Sequence, residues 1–147
     1  MAALNGKYNY QSFVANAAVA DRSAGLDVPP KVIRPPQLAA LWTPSSLIEF
    51  CTEAGLVTGS GKLGPLEVKI DGKITAAEAP ILDRAANPLP EGVELTITIP
   101  GTRASYRLRG YFLKDSDHVV GTVVAISGDL GLQPDGTSGP FILYPAK

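Results

Sequence analysis

The sequence predicts an all-β domain closed into an eight-stranded antiparallel up-and-down barrel, and three observations carry that prediction. Apolar residues recur with a period of two in segment after segment, as in strands with one buried face. Glycine and proline, 15 and 13 of the 147 residues, interrupt nearly every window long enough to hold a helix. Glycines also fall inside strand segments, at Gly59, Gly72, Gly110 and Gly121. They weaken a flat sheet there, yet they are what the tight bending of a small barrel requires. Closure further removes exposed sheet edges from a chain rich in Val, Ile and Thr.

The first strand is predicted over Gly6 to Val14 (GKYNYQSFV), with Tyr8, Tyr10 and Ser12 in phase. A long proline-rich loop follows, Ala15 to Pro44, in which two Pro-Pro pairs between Val28 and Pro36 impose extended backbone without ladder donors. A loop of this length reads as a lid or, on the plainer reading, as a cap whose Gln37 to Trp42 end packs back on the barrel. Ser46 to Thr52 and Leu56 to Leu63 are the second and third strands, the third softened by Gly59 and Gly61. Gly59-Ser-Gly61-Lys62 lacks the spacing and the following helix of a phosphate loop.

The fourth strand, Leu66 to Ile74, alternates most cleanly, with Leu66, Val68, Ile70 and Ile74 on one face and Glu67, Lys69, Asp71 and Lys73 on the other. Thr75 to Pro90, with three prolines, is a second irregular segment. Val93 to Ile99 is a β-branched strand ended by the turn pair Pro100-Gly101. Arg103 to Leu113 places Tyr106, Leu108, Gly110 and Phe112 opposite Ser105, Arg107 and Arg109. Lys114 to Asp117 is a polar hairpin turn, His118 to Ser127 the seventh strand, and Pro140 to Pro145 the eighth. The whole of 1–147 is predicted as one domain, a common size for a single core.

Composition narrows the partners. Apolar residues at 45% and charged ones at 18% lie in the globular range. A net charge of -1 offers no footprint for nucleic acid or an anionic membrane. No apolar run approaches the roughly 18 residues that span a bilayer, and no export signal is visible. The single Cys51 forms no internal disulfide, reads as a small buried hydrophobe and, with the rest, leads us to expect a cytoplasmic protein. One histidine, His118, expected in an exposed turn beside Asp115 and Asp117, and one cysteine give no zinc or iron ligand spacing, so no metal and no cofactor are expected.

The opening Gly6-Lys-Tyr-Asn-Tyr-Gln-Ser-Phe13 resembles the G-x-Y-x-Y-x-S-F first strand of small lipocalin-like (calycin-type) barrel proteins. Leu108-Arg-Gly-Tyr-Phe112, Val120-Gly-Thr-Val-Val124 and Ser138-Gly-Pro-Phe-Ile142 look like later strands of that family, in the same order. The proline-rich insertion after the first strand departs from it. What the resemblance implies is the barrel, a fold that hosts many unrelated activities.

An eight-stranded barrel is either filled by its own side chains or holds one small ligand. The expected interior mixes small residues (Ser12, Ala104, Gly110, Thr122) with aromatic ones (Tyr8, Tyr10, Tyr106, Phe112, Phe141), which leaves space near the small ones unless the rings fill it. The function expected is a cofactor-independent cyclase or isomerase acting on a hydrophobic small molecule, alternatively a non-catalytic carrier of one; a homodimer is left open. Allene oxide cyclases and natural-product cyclases, Diels-Alder catalysts among them, are similar small barrels. Tyr8, Tyr10, Tyr106 and Glu49 are the candidate catalytic groups. Glu49 shares a face with Leu47 and Cys51; turned inward it is a desolvated carboxyl, turned outward a solvated one. Ser12, Trp42, Phe50, Leu108, Phe112, Thr122 and Phe141 are the candidate substrate-binding residues.

Overall fold

The alternation written in the sequence becomes eight strands, β1 (Gly6–Ala15), β2 (Ala39–Glu53), β3 (Leu56–Leu63), β4 (Leu66–Thr75), β5 (Gly92–Thr98), β6 (Ser105–Phe112), β7 (Val119–Ala125) and β8 (Ser138–Pro145). The structure is a computed structural model that describes residues 2–15, 39–76, 90–126, 136 and 138–146. Each strand pairs antiparallel with the next, and β8 returns to β1, so the sheet closes into an up-and-down barrel. Every strand thereby has a hydrogen-bonded neighbour on both sides.

Turn chemistry sets the hairpins. Between β2 and β3, Ala54 and Gly55 both have positive φ, 51° and 79°, as a two-residue type I′ turn requires. Gly64 at φ 61° precedes Pro65, giving the β3–β4 hairpin the φ signs of a type II′ turn. After β5, Pro100 and Gly101 form a type II turn closed by the Thr102 amide donating to the Ile99 carbonyl at 3.1 Å.

The segment 39–44, expected in the loop, is strand. It joins the β1 ladder through two irregularities: Tyr10 pairs with Ser46, Ser12 with Thr43 and Phe13 with Leu41, so β2 carries an extra residue at each step. Pro44, which has no amide to donate, falls at the first of them, where a bulge tolerates it. The rest of the proposed loop or lid, 16–38, lies outside the described residues, as does most of the second irregular segment, 77–89.

One end of the barrel is closed by the chain's own start. Residues Ala2 to Asn5 cross from the end of β2 to the start of β5: the Ala2 amide donates to Glu91 Oε2 at 2.5 Å, and the Leu4 amide donates to Thr52 Oγ1 at 2.9 Å. Thr52 Oγ1 donates back to the Leu4 carbonyl at 2.8 Å, and the Thr52 amide donates to Asn5 Oδ1 at 2.8 Å. This clasp fixes Leu4, fully buried, in the core. The opposite end is where β1, β3, β5 and β7 finish and their partners begin.

Candidate functional site

Burial alternates along the strands and identifies the inward face of each. No strand position on that face carries Asp, Glu, Lys, Arg or His among the described residues. The interior is apolar, with five principal hydroxyls: Tyr8, Tyr10, Ser12, Ser46 and Tyr106, all buried.

These hydroxyls do not form one cluster. The Tyr8 phenol belongs to the plugged end, where it bonds to the backbone at Asn5, and its ring meets Phe50 edge-on with centroids 5.7 Å apart. Burial raises the Tyr8 pKa first, Asp117 in the β6–β7 turn second, and the bond at Asn5 opposes them. Phe50 and Phe112 pack in the same end; the Phe112 amide donates at 3.0 Å to the carbonyl of Glu91, the residue whose carboxylate holds Ala2. Large side chains and the Leu4 plug make this end a filled core.

Toward the other end the walls change character. Tyr10 lies opposite Ser46 in register, with Ser12 two residues further along β1, and the Ser12 and Tyr10 hydroxyls are hydrogen-bonded. Phe141 stacks on Tyr10 with centroids 6.0 Å apart. Tyr106 faces inward from β6, beside Ala125 of β7. Ala104, Ala125 and Gly139 are small and buried near the strand ends here, with Val68, Ile97 and Val123 as apolar wall. Leu108 lies midway.

Burial pushes the Tyr10 phenol up to about 12, and its bond with Ser12 opposes that rise. The phenol is therefore a neutral donor at ordinary pH. A phenol whose pKa is raised on folding favours the native state while both states are protonated. The unfolded chain releases its proton first, near pH 10, so stability falls as pH rises from about 10 to 12. The expected loss is on the order of 2–3 kcal/mol. Tyr10→Phe should flatten this limb of the urea-unfolding pH profile; a profile identical to wild type would show that Tyr10 is not the buried phenol responsible.

Several expectations are corrected. Glu49 is exposed on the outer wall of β2, with Leu47 and Cys51, because the inward phase of that strand belongs to Ser46, Ile48 and Phe50. Cys51 is accordingly an exposed thiol, not a core residue. Thr122 also faces out, since Gly121 and Val123 occupy the inward phase of β7. The space expected beside Gly110 is filled: the Phe141 ring and Val119 both approach within 2.9 Å of where a Cβ would stand. Phe50 likewise fills the position opposite Gly59. Trp42 lies within β2, but its side chain is outside the described residues. His118 is half-buried, its ring stacked on Tyr144 and its Nδ1 3.3 Å from Ser116 Oγ.

Sequence reasoning missed Ser46, Ala125, Gly139 and Val123. Ser46 was within reach by extending the Phe50–Ile48 phase backward. On β7 both phases are apolar, Val119 and Val123 against Val120 and Val124, so the period alone could not choose.

A cavity of about 610 Å³ lies on the outer wall, over β4 to β7 between Lys73, Glu94, Thr96, Arg107, Arg109 and Thr122. Glu94 is held there by Arg109 Nη2 at 2.7 Å and Lys73 Nζ at 3.6 Å. The Arg109 hydrogen bond chiefly, with Lys73 adding to it, lowers the Glu94 pKa. Among the described residues no three His, Cys, Asp or Glu side chains converge to hold a metal ion.

Compared with known protein families, with curated proteins and with solved structures, the chain matches none. The class its fold defines is the closed eight-stranded antiparallel barrel, consistent with a calycin-like architecture.

Proposed function

We propose that the chain binds a hydrophobic, uncharged small molecule at the end of the barrel opposite Leu4. The observation that carries this reading is the contrast between the two ends. One is sealed by Leu4 and packed with Phe50 and Phe112; the other is walled by Val, Ile, small residues and the Phe141 ring around the Tyr10, Ser12, Ser46 and Tyr106 hydroxyls. A few hydroxyls in an apolar wall suit a ligand that is mostly hydrocarbon with one or two oxygen atoms. Among the described residues no strand position on the inward face carries a charge that would offset a charged ligand, and burying one unpaired costs several kcal/mol.

The experiment is native mass spectrometry of the protein isolated from its own host, together with titration by the neutral apolar dye Nile red. We expect a retained small molecule and saturable dye binding that Ala125→Leu weakens about tenfold or more by filling the same end. Equal dye binding by wild type and a folded Ala125→Leu variant would overturn the assignment of the site.

A second reading is favoured by one observation, the buried phenol of Tyr10 that stays neutral up to about 12. Such a donor can polarise a carbonyl or epoxide oxygen of a substrate held in one conformation, as a cofactor-free cyclase or isomerase needs. Recovery of a small molecule unchanged by incubation with the protein supports carriage. Conversion to an isomer that stops in Tyr10→Phe supports catalysis.

A further inference from the structure

We propose that the groove on the outer wall of β4 to β7 is a binding site, separate from the interior, for a small organic oxyanion: a carboxylate or phosphate monoester that carries an apolar group. Register builds the groove from two rows of outward side chains. In one row Lys73, Glu94, Arg109 and Thr122 stand side by side on β4, β5, β6 and β7. In the other, two residues along each strand and so about 7 Å away, stand Asp71, Thr96, Arg107 and Val124. The short residues Gly72, Thr96 and Thr122 leave room between the long ones, and the resulting cavity of about 610 Å³ has the size of a small-molecule site.

The charge of this groove is opposite to that of the chain. Its lining holds Lys73, Arg107 and Arg109 against the single carboxylate of Glu94, an excess of two positive charges in a protein whose net charge is -1. Glu94 answers the first row, with Arg109 Nη2 at 2.7 Å and Lys73 Nζ at 3.6 Å. Arg107 is different: among the described residues its guanidinium has no ion-pair or hydrogen-bond partner, and its neighbours in register are Thr96 and Val124. Asp71 lies two strands away from it, about 10 Å at the backbone. Two arginines at alternate positions of one strand repel each other unless an anion lies between them, and the planar guanidinium of Arg107 presents a fork that fits a carboxylate or phosphate by two hydrogen bonds. The Thr96 and Thr122 hydroxyls add neutral donors beside it.

The surroundings select the class of anion. Glu67 and Asp71 alternate with Lys69 and Lys73 along β4, so the positive charge does not continue as a stripe and a polyanion such as nucleic acid meets repulsion within a few ångströms of the groove. One anionic group is accommodated, not a row of them. The ends of the groove are apolar: Val124 lies beside Arg107, and Leu56, 64% exposed and beside Lys73 in register, is the most exposed large hydrophobic residue among those described. A hydrocarbon or aromatic group attached to the oxyanion would cover one of these side chains and gain the burial that an inorganic ion cannot.

Titration of the isotope-labelled full chain with octanoate and with phenyl phosphate, followed through its backbone amide NMR signals at about 0.1 M salt, tests this. Saturable shifts of the Thr96, Arg107 and Thr122 amides are expected with at least one probe, with a Kd in the low millimolar range or below, and the probe that binds more tightly identifies the oxyanion. Neutral 1-octanol should leave these amides unmoved. Arg107→Gln keeps an exposed polar side chain, so it leaves the unfolding transition unchanged while weakening the probe about tenfold or more. Lys69→Gln removes the same charge from the same wall outside the groove, and should weaken it less than about threefold. Groove amides that respond to neither probe, that respond to octanol as they do to octanoate, or that lose as much affinity in Lys69→Gln as in Arg107→Gln overturn the proposal.

Discussion

Gly121→Ala should abolish folding or cost about 4 kcal/mol or more, although it adds a single methyl group. Gly121 of β7 stands directly opposite Gly110 of β6. A Cβ at Gly121 would fall on the Arg109 carbonyl oxygen and 2.5 Å from the Gly110 Cα, and both are backbone that cannot step aside without breaking the β6–β7 ladder. Gly72 is in the same position against the Glu94 carbonyl and the Leu95 Cα. Gly59→Ala is the milder comparison, because its Cβ would meet the ring of Phe50 at 2.8 Å and no backbone atom closer than the Glu49 carbonyl oxygen at 3.2 Å, and it should cost about 1–3 kcal/mol. Urea unfolding of the three proteins decides the matter. A Gly121→Ala protein within about 1 kcal/mol of wild type would mean that β6 and β7 do not approach as described.

The same glycines show how far the sequence could be read. Their presence inside alternating segments pointed to a closed, tightly bent sheet, and the β-branched alternation of β4 and β5 located strands to within a residue or two. Legibility failed where both phases of a strand are apolar or both are mixed. On β2, Leu47 and Cys51 made the outward phase look as apolar as Ile48 and Phe50, so the direction of Glu49 stayed open until closure of the barrel decided it. The start of β2 was hidden for another reason: Pro44 argues against a strand, and only a bulge opposite β1 accommodates it. The division of the interior into a filled end and a hydroxyl-lined end was not legible at all. It depends on where Leu4 goes, and a four-residue segment ahead of the first strand has no periodicity to reveal that.

Leu4→Ala is therefore the substitution that tests the site as well as the fold. Leu4 is fully buried at the plugged end, and its removal leaves a cavity that the clasp around Thr52 prevents the backbone from collapsing into. The expected cost is about 3 kcal/mol, a drop of about 10 °C in Tm for a domain of this size. Leu47→Ala, of similar chemistry on the outer wall, should change stability by no more than about 0.5 kcal/mol. Thr52→Val should cost about 1–3 kcal/mol because it strands the Leu4 amide and carbonyl. Since both changes act on one plug, their combined effect should fall short of the sum by about 1 kcal/mol. A Leu4→Ala protein as stable as wild type would show that this end is not sealed from within. The two ends of the barrel would then be equivalent, and nothing would direct a ligand to one of them.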